Sequence, residues 1–511
     1  MYGLLSTVAA RIHIYFDKLT SNTILQQGSR PDSGIATNMG AVPIVLCAWL
    51  LYVTIRTILV YRTQVPGPWY SNVTSLVQKY YEFTRRRRLW IHHLHKVYGP
   101  VVRLNPNEVS FANLDGMKEI YQSGGSGYDK ASFYDLFMQY NCRTMFSMLK
   151  RNDHARRKKI FAERYSMTNV LRPDVLDGIQ VRAAKVLQKI KSSTDGCLDV
   201  YVTLHCYAVD CASHFLANPR GLNTLDDVND FKMMQELSYH DTLRQKLMEQ
   251  YCPPLDKIAN IFRPAPWPLT KHFILERARD TQLNGTSLVH SLQAKSTELD
   301  TVQIAAECLD HLAAGIDTTG DGLCFLMHEL SLPRSAKIQE SLYEEIVQNP
   351  HVKATDLPYL DAIVMEGLRL FPPLPMSLPR SVPVGGSTIS GYKLPGGTTV
   401  SCQAYSLHRL NPDIYPDPDA FIPERWLEKE KRVERNRLFF AFSAGGRGCI
   451  GKNLALVEMK TLLREIYGKF TTRLSPQFTA DMSIDDQIIA SRPKDQTCVL
   501  KFEERISSSS Q

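Results

Sequence analysis

No two of the eleven cysteines form a Cys-x-x-Cys pair, and none is set against histidines at zinc spacing. That excludes structural zinc modules and thioredoxin-like redox pairs. Thiols scattered singly belong to a chain kept reduced, where most of them pack as small apolar groups. Low-complexity stretches and internal repeats are also missing, which removes solenoids and propellers. There is no glycine-rich fingerprint for a flavin or a nicotinamide. The excess of positive charge, +8 over 511 residues, is modest. No basic stripe accompanies a recognisable module, so nucleic acid is not an expected partner. A surface of this kind suits an acidic partner or anionic lipid headgroups. Nothing in the middle of the chain reads as a linker, and one large helical domain is expected rather than a string of small ones.

Residues 41–61 are apolar apart from Thr54, Arg56 and Thr57. At 1.5 Å per residue such a run is long enough for a bilayer core, so residues 39–62 are expected to form a transmembrane anchor. Arg62 and Arg85–Arg88 follow it, and this excess of cations places the later chain in the cytosol. The resulting expectation is a single-pass protein of the endoplasmic reticulum membrane with a cytosolic catalytic domain. Residues 1–38 are a separate segment that is lumenal, surface-bound or a targeting sequence; apolar positions from Leu4 to Phe16 recur at near-helical spacing. Pro66-Gly67-Pro68 marks a stiff hinge over 63–69, and the domain proper is 70–511. Val101 to Asn113 reads as two short strands around Asn105-Pro106-Asn107. Leu171 to Leu332 is mostly helical in pattern, and short strands return at Val382–Cys402. The fold class is therefore mostly α with small β-sheets.

The segment Phe442-Ser443-Ala444-Gly445-Gly446-Arg447-Gly448-Cys449-Ile450-Gly451 carries the most chemistry. Crowded glycines let a backbone approach a flat cofactor and aim N–H groups at a sulfur. Those groups and Arg447 favour thiolate, the form that binds metal, and Phe442 can shield it from water. Five residue types at fixed offsets recur by chance on the order of once in ten thousand chains of this length. The alternative is a glycine-rich turn with an incidental cysteine. Two further patterns accompany it. Glu366 and Arg369 share a helix face, with Phe421-Ile422-Pro423-Glu424-Arg425-Trp426 some fifty residues on. Ala314-Gly315-Ile316-Asp317-Thr318-Thr319 lies within a helix expected over Thr301 to Leu330. Gly315 and Gly320 each cost about 1 kcal/mol there and leave space for a ligand, and Thr318 can bend the helix by bonding a backbone carbonyl.

Together these stretches resemble the cytochrome P450 family, and within it the microsomal enzymes with which filamentous fungi decorate secondary metabolites. The family often has glycine where Ser443 stands. The resemblance implies a cytochrome P450 fold and haem b held by Cys449 as the axial thiolate, with Phe442, Gly445, Arg447 and Gly451 shaping the loop. It implies that Arg425 joins Glu366 and Arg369 in a buried structural network. Asp317 and Thr318 become the proton-delivery pair for dioxygen activation. Arg447, Arg380, His154 and Lys158 become candidates for the haem propionates. The family usually places Arg four residues after Trp or His, so Lys158 substitutes a point charge for a fork. Phe133, Phe137, Met145, Phe146 and Ala314 are expected to line an apolar pocket, under a roof formed by Ser132 to Leu149 and Pro253–Thr270. Electrons are expected from NADPH-cytochrome P450 reductase, with cytochrome b5 as a second donor. The reductase is expected to dock on Lys431, Arg432, Arg435, Arg437 and Lys452. The function implied is hydroxylation, epoxidation or further oxidation of a small apolar terpenoid, polyketide or alkaloid, with membrane lipid as neighbour. Two rivals stay open: a haem-thiolate isomerase or dehydratase that needs no reductase, and a non-catalytic haem-binding protein.

Overall fold

The computed structural model describes residues 63–505 except 240–241, 263–267 and 296–297, together with Cys47, Leu51, Thr54, Ile55, Ile58 and Val60. The chain divides into Met1–Leu59 and Val60–Gln511. The segment 1–38 and most of the anchor expected over 39–62 lie outside the described residues. Among the described residues no helix is long and apolar enough to cross a membrane. The expectation of a single-pass protein of the endoplasmic reticulum membrane is corrected accordingly. The physical reason is that a span needs about 20 continuous apolar helical residues to cross the ~30 Å of a hydrocarbon core, and none of the described helices meets that requirement. The Pro66–Pro68 segment is docked rather than loose. Val65 is buried in a core beside it, and the Pro66 carbonyl accepts a 2.8 Å bond from Arg103 N–H.

The second unit is mostly helical with small sheets. The helices that position the site are α1 (Arg151–Phe161), α2 (Val200–Ala217), α3 (Thr301–Leu330), α4 (Pro358–Leu370) and α5 (Lys452–Tyr467). Helix α3 starts where Asp300 closes a capping box with Gln303, satisfying two donors that a helix N-terminus leaves open. At 30 residues it runs about 45 Å through the middle of the domain. Helix α2 packs along it and is buried on nearly every face, which is why its sequence shows almost no polar stripe.

Beside the helices lies a five-stranded sheet of β1 (Val101–Asn105), β2 (Glu108–Phe111), β3 (Asp129–Lys130), β4 (Arg380–Ser381) and β5 (Thr399–Ser401) in the order β1-β2-β5-β4-β3. Only β2 and β5 run parallel. Strands β3 and β4 bring Lys130 opposite Arg380, two cations from distant parts of the sequence. A large helical core and a smaller sheet-side core result. The chain entering the cysteine loop leaves the end of the helix Arg432–Leu438 and passes between them with successive residues packed on alternate cores. Leu438 and Phe440 belong to the sheet-side core, while Phe439 and Ala441 pack on the helical one. Each buried aromatic there contributes about 1.5–3 kcal/mol, and the alternation fixes where the loop begins.

The mount of that loop is a buried carboxylate. Glu366 Oε1 accepts from Arg369 Nη2 at 2.9 Å, Arg425 Nε at 3.0 Å and Ile422 N–H at 3.0 Å. Its Oε2 accepts from Arg369 Nε at 2.8 Å and Trp426 Nε1 at 2.9 Å. Burial would raise the pKa of this acid, but the bonds and charge of Arg369, with the charge of Arg425, bring it below the ordinary value. Arg369 also donates to the carbonyls of His408, Pro418 and Ala420, so helix α4 and the segment before the cysteine loop are tied as one piece. Replacing Glu366 by Gln keeps the shape and strands two cations. Chemical denaturation should show a loss of about 3–5 kcal/mol.

Candidate active site

The cysteine loop is a tight reversal closed by its own backbone. Cys449 N–H donates to the Phe442 carbonyl at 2.9 Å, and Gly448 N–H to Gly445 at 2.9 Å. Gly445 sits at φ +69°, and a Cβ there would lie 2.1 Å from the Tyr121 carbonyl oxygen, so no side chain fits. Ser443 is held at φ 58°, a left-handed conformation that costs a non-glycine residue about 1 kcal/mol. Helix α5 starts directly after the loop. The N–H groups of Gly451 and Lys452 bond the Cys449 sulfur. Packing protein around the thiol pushes its pKa up; those N–H groups and the charges of Lys158 and Lys452 oppose the rise. Arg447, expected to favour the thiolate, turns elsewhere: it donates to the Leu149 carbonyl at 3.1 Å and stands 3.6 Å from Asp129.

Lys158 has a different placement from the one its sequence position implied. Its ammonium donates to the carbonyls of Gly446 at 3.0 Å and Gly448 at 2.8 Å. It therefore clamps the loop backbone from helix α1 instead of pointing at an anion. Neighbouring Arg157 pairs with buried Glu307 of α3 at 2.6 Å, and Glu307 also accepts the Met145 N–H.

Beside the loop the chain has more buried cations than anions. His154 is buried. Its pKa is pushed down to about 2, by burial first and then by Lys130, Arg447, Lys158 and Arg380. Arg380 Nε and Nη1, and Arg447 Nε and Nη2, are buried without hydrogen-bond partners among the described residues. Buried guanidinium groups left so are costly unless an anion joins them. A group with two carboxylates satisfies this cluster, and haem propionates fit it. Lys130 was not singled out in the sequence: an isolated lysine carries no local signal, and only the β3–β4 pairing brings it to Arg380.

Cys449 is accessible. So is Ala314, midway along α3 between the fully buried Leu312 and Ile316. Thr318, one turn further on that face, is half-exposed and donates to the Ala314 carbonyl at 2.6 Å. Accessible surface in the middle of an otherwise buried helix marks room for a ligand beside it. Asp317 does not share this face. It is grouped with His205 and Asp321 on the side towards α2.

Phe133, Phe137 and Phe146 are half-buried and meet edge to face, with ring centres 5.6 and 5.2 Å apart. Met145 leaves that group: it is buried in the large helical core, its N–H fixed on Glu307. Part of the Pro253–Thr270 roof, 263–267, lies outside the described residues. Arg435, expected on a docking face, is buried and paired with Glu428, whereas Lys431, Arg432, Arg437 and Lys452 are exposed.

Sequence reasoning also passed over His408. Its Nδ1–H donates to the Arg369 carbonyl at 3.0 Å, and its Nε2 accepts the Phe440 N–H at 2.8 Å. A neutral ring thus links the carboxylate mount to the loop entrance. Its role depends on two contacts far apart in sequence, so no local pattern announces it.

A thiol on a glycine-rich loop, a carboxylate mount behind it and a buried cluster of cations in excess of anions at its side are the features of a haem-thiolate protein. The chain belongs to the cytochrome P450 family, whose model, described as Cytochrome P450, matches residues 65–499. It is similar to cytochrome P450 monooxygenase stcB of Emericella nidulans, 29% identical over 85% of this chain and 87% of that one. It is also similar to tazI of Aspergillus terreus, 26% identical over 91% and 99%, and to mpaDE of Penicillium roqueforti, 30% identical over 83% and 54%. The protein is accordingly a cytochrome P450 monooxygenase, with haem on an axial cysteine thiolate as its cofactor.

Burial, followed by the charges of Arg369 and Arg409, lowers the His408 pKa to about 3, against ~6.5 in an unfolded chain. Below that value the unfolded chain binds a proton that the folded one refuses, so acid favours unfolding. This contribution is complete above ~6.5 and is lost as pH falls towards 3, at about 1.4 kcal/mol per unit. His408→Gln should unfold more easily at neutral pH and show a shallower acid slope, by one proton, in denaturation curves between about pH 7 and 5.

Proposed function

We propose that this enzyme oxidises a small apolar molecule of fungal secondary metabolism, with Cys449 as the thiolate ligand and a separate reductase as the electron source. The observation that carries the reading is the cysteine loop: a sulfur accepting two backbone N–H bonds under two lysine charges, next to a buried cation cluster short of anions. When bound, haem with a thiolate ligand supplies dioxygen activation and O–O cleavage.

The remaining work falls to the chain. Gly451, Lys452 and Lys158 stabilise the sulfur anion. Arg380, Arg447, Lys130 and His154 would hold the propionates. Asp317 holds a proton on the α2 side of the helix, and Thr318 presents its hydroxyl on the accessible side, one residue further on. Ala314 keeps the helix wall low, and the Phe133–Phe137–Phe146 cluster offers an adaptable apolar surface that excludes water. The fungal sources of the monooxygenases it resembles support a fungal setting. The chain has no dinucleotide fingerprint, which supports an external donor. Lys431, Arg432, Arg437 and Lys452 are exposed and flank the cysteine loop in sequence, cations suited to an acidic reductase surface.

Two outcomes are expected. Cys449→Ala should lose the red-shifted absorption of the reduced, carbon-monoxide-treated protein; a parent without that band sinks the thiolate assignment. Neutralising Lys431, Arg432 and Arg437 together should slow reductase-supported turnover and flatten its salt dependence while the carbon-monoxide spectrum stays intact. Full turnover of candidate metabolites without NADPH would instead favour an isomerase or dehydratase.

A further inference from the structure

Monooxygenation consumes two protons with each two electrons: one oxygen atom of dioxygen enters the substrate and the other leaves as water. A single Asp317 carboxyl holds one proton. Behind it lies a group the mechanism has not used. His205 of α2 and Asp321 of α3, one helical turn after Asp317, are 0% and 3% exposed. Their side-chain ligand atoms and that of Asp317 all lie within 4.8 Å of one another. His205 Nδ1–H donates to the Tyr201 carbonyl at 2.7 Å, which fixes the ring and leaves Nε2 facing Asp321 Oδ1 at 3.4 Å. That is ion-pair distance without a well-aligned hydrogen bond, and among the described residues neither atom has a hydrogen-bond partner.

The approach is built into the helix. A Cβ on Gly320 would lie 2.9 Å from two carbons of the His205 ring. The glycine expected to make space for a ligand thus makes space for the imidazole. The Tyr201 ring lies against it, with centres 4.2 Å apart, and Gln496 holds the Tyr201 hydroxyl at 2.9 Å. Of the three members only Asp317 is half-exposed, so a proton enters and leaves through it.

We propose that His205 and Asp321 are a proton store behind Asp317, making the delivery machinery a three-residue cluster. The proposal rests on the monooxygenase reading above. In discharge, the Nε2–H bond of the imidazolium breaks as Asp321 gains the proton. Asp321 passes it to Asp317, which has just given its own to the Thr318 side; no electrons move within the cluster, and reloading runs backwards through Asp317. The groups facing the store are Asp317 and Asp321 on α3, His205 and Tyr201 on α2, Arg492 on the strand Ser491–Pro493, and Ser238 at the end of the helix Val228–Ser238. Their charges agree with storage. Burial and then the charge on Asp321 raise the Asp317 pKa against His205 and Arg492. For His205, burial is outweighed by Asp321 and Asp317, so its pKa also rises.

The test uses the full-length haem-loaded enzyme with its aspartates isotope-labelled. Infrared spectra of the resting protein should show a protonated aspartate band that Asp317→Asn removes. His205→Gln and Asp321→Asn should each shift the pH at which that band titrates, with an unchanged carbon-monoxide spectrum as proof of folding. In turnover both should raise several-fold the share of NADPH oxidised without product. Gly320→Ala, which keeps every titrating group and only displaces the ring, should act in the same direction. An unmoved titration in His205→Gln and Asp321→Asn overturns the store, even if Asp317→Asn uncouples. Unaltered coupling in Asp317→Asn counts against the proton-delivery reading instead, whatever the band does. A stoichiometric divalent metal in the purified protein, lost on Asp321→Asn, also overturns it.

Discussion

The Glu366 carboxylate sits where no water can reach it, and five hydrogen bonds replace the solvent it has lost. Two arginines, an indole and a backbone N–H converge on two oxygens, and the arginines pass the connection on to carbonyls of the chain that leads to the cysteine loop. Removing one member leaves the others charged and unpaired, which makes the network rigid as a whole. The loop inherits that rigidity through His408 and through the alternation of Leu438 to Ala441 between two cores. A sulfur ligand needs such a mount, because its position relative to a flat cofactor tolerates little drift.

Charge imbalance does a different job next to it. Lys130, Arg380 and Arg447 gather around a neutral His154 with few acids nearby, an arrangement unfavourable in the protein alone. A dianionic group seated there would make it favourable. Lys158 stands apart from that set. A lysine in place of the family's arginine reaches the loop carbonyls as a compact donor, something a planar fork is shaped to do less well.

Helix α3 shows two faces with different work. Ala314 and Thr318 present small groups and a hydroxyl on the accessible side, while Asp317 and Asp321 turn towards α2. Glycine at 320 is costly for a helix, and that cost is offset by the close approach of an imidazole that no other residue would permit.

The candidate site residues stood out in residue order as local patterns. The glycine-rich loop with Cys449, the Glu366–Arg369 pair and the Asp317-Thr318 step are local patterns, and local patterns survive in a linear string. The bounds of α3 and the two strands around Pro106 were legible for the same reason: periodicity and turn residues act over a few positions. What the sequence could not convey were partners brought together across hundreds of residues. Lys130 beside Arg380, His408 between Arg369 and Phe440, His205 over Gly320, and the turning away of Arg447 and Arg435 all depend on which surfaces the tertiary fold presses together. The apolar run over 41–61 is the opposite lesson. Composition alone suggested a membrane span, whereas among the described residues no helix is long and apolar enough to be one, and such a helix is a property of the folded chain rather than of hydrophobicity.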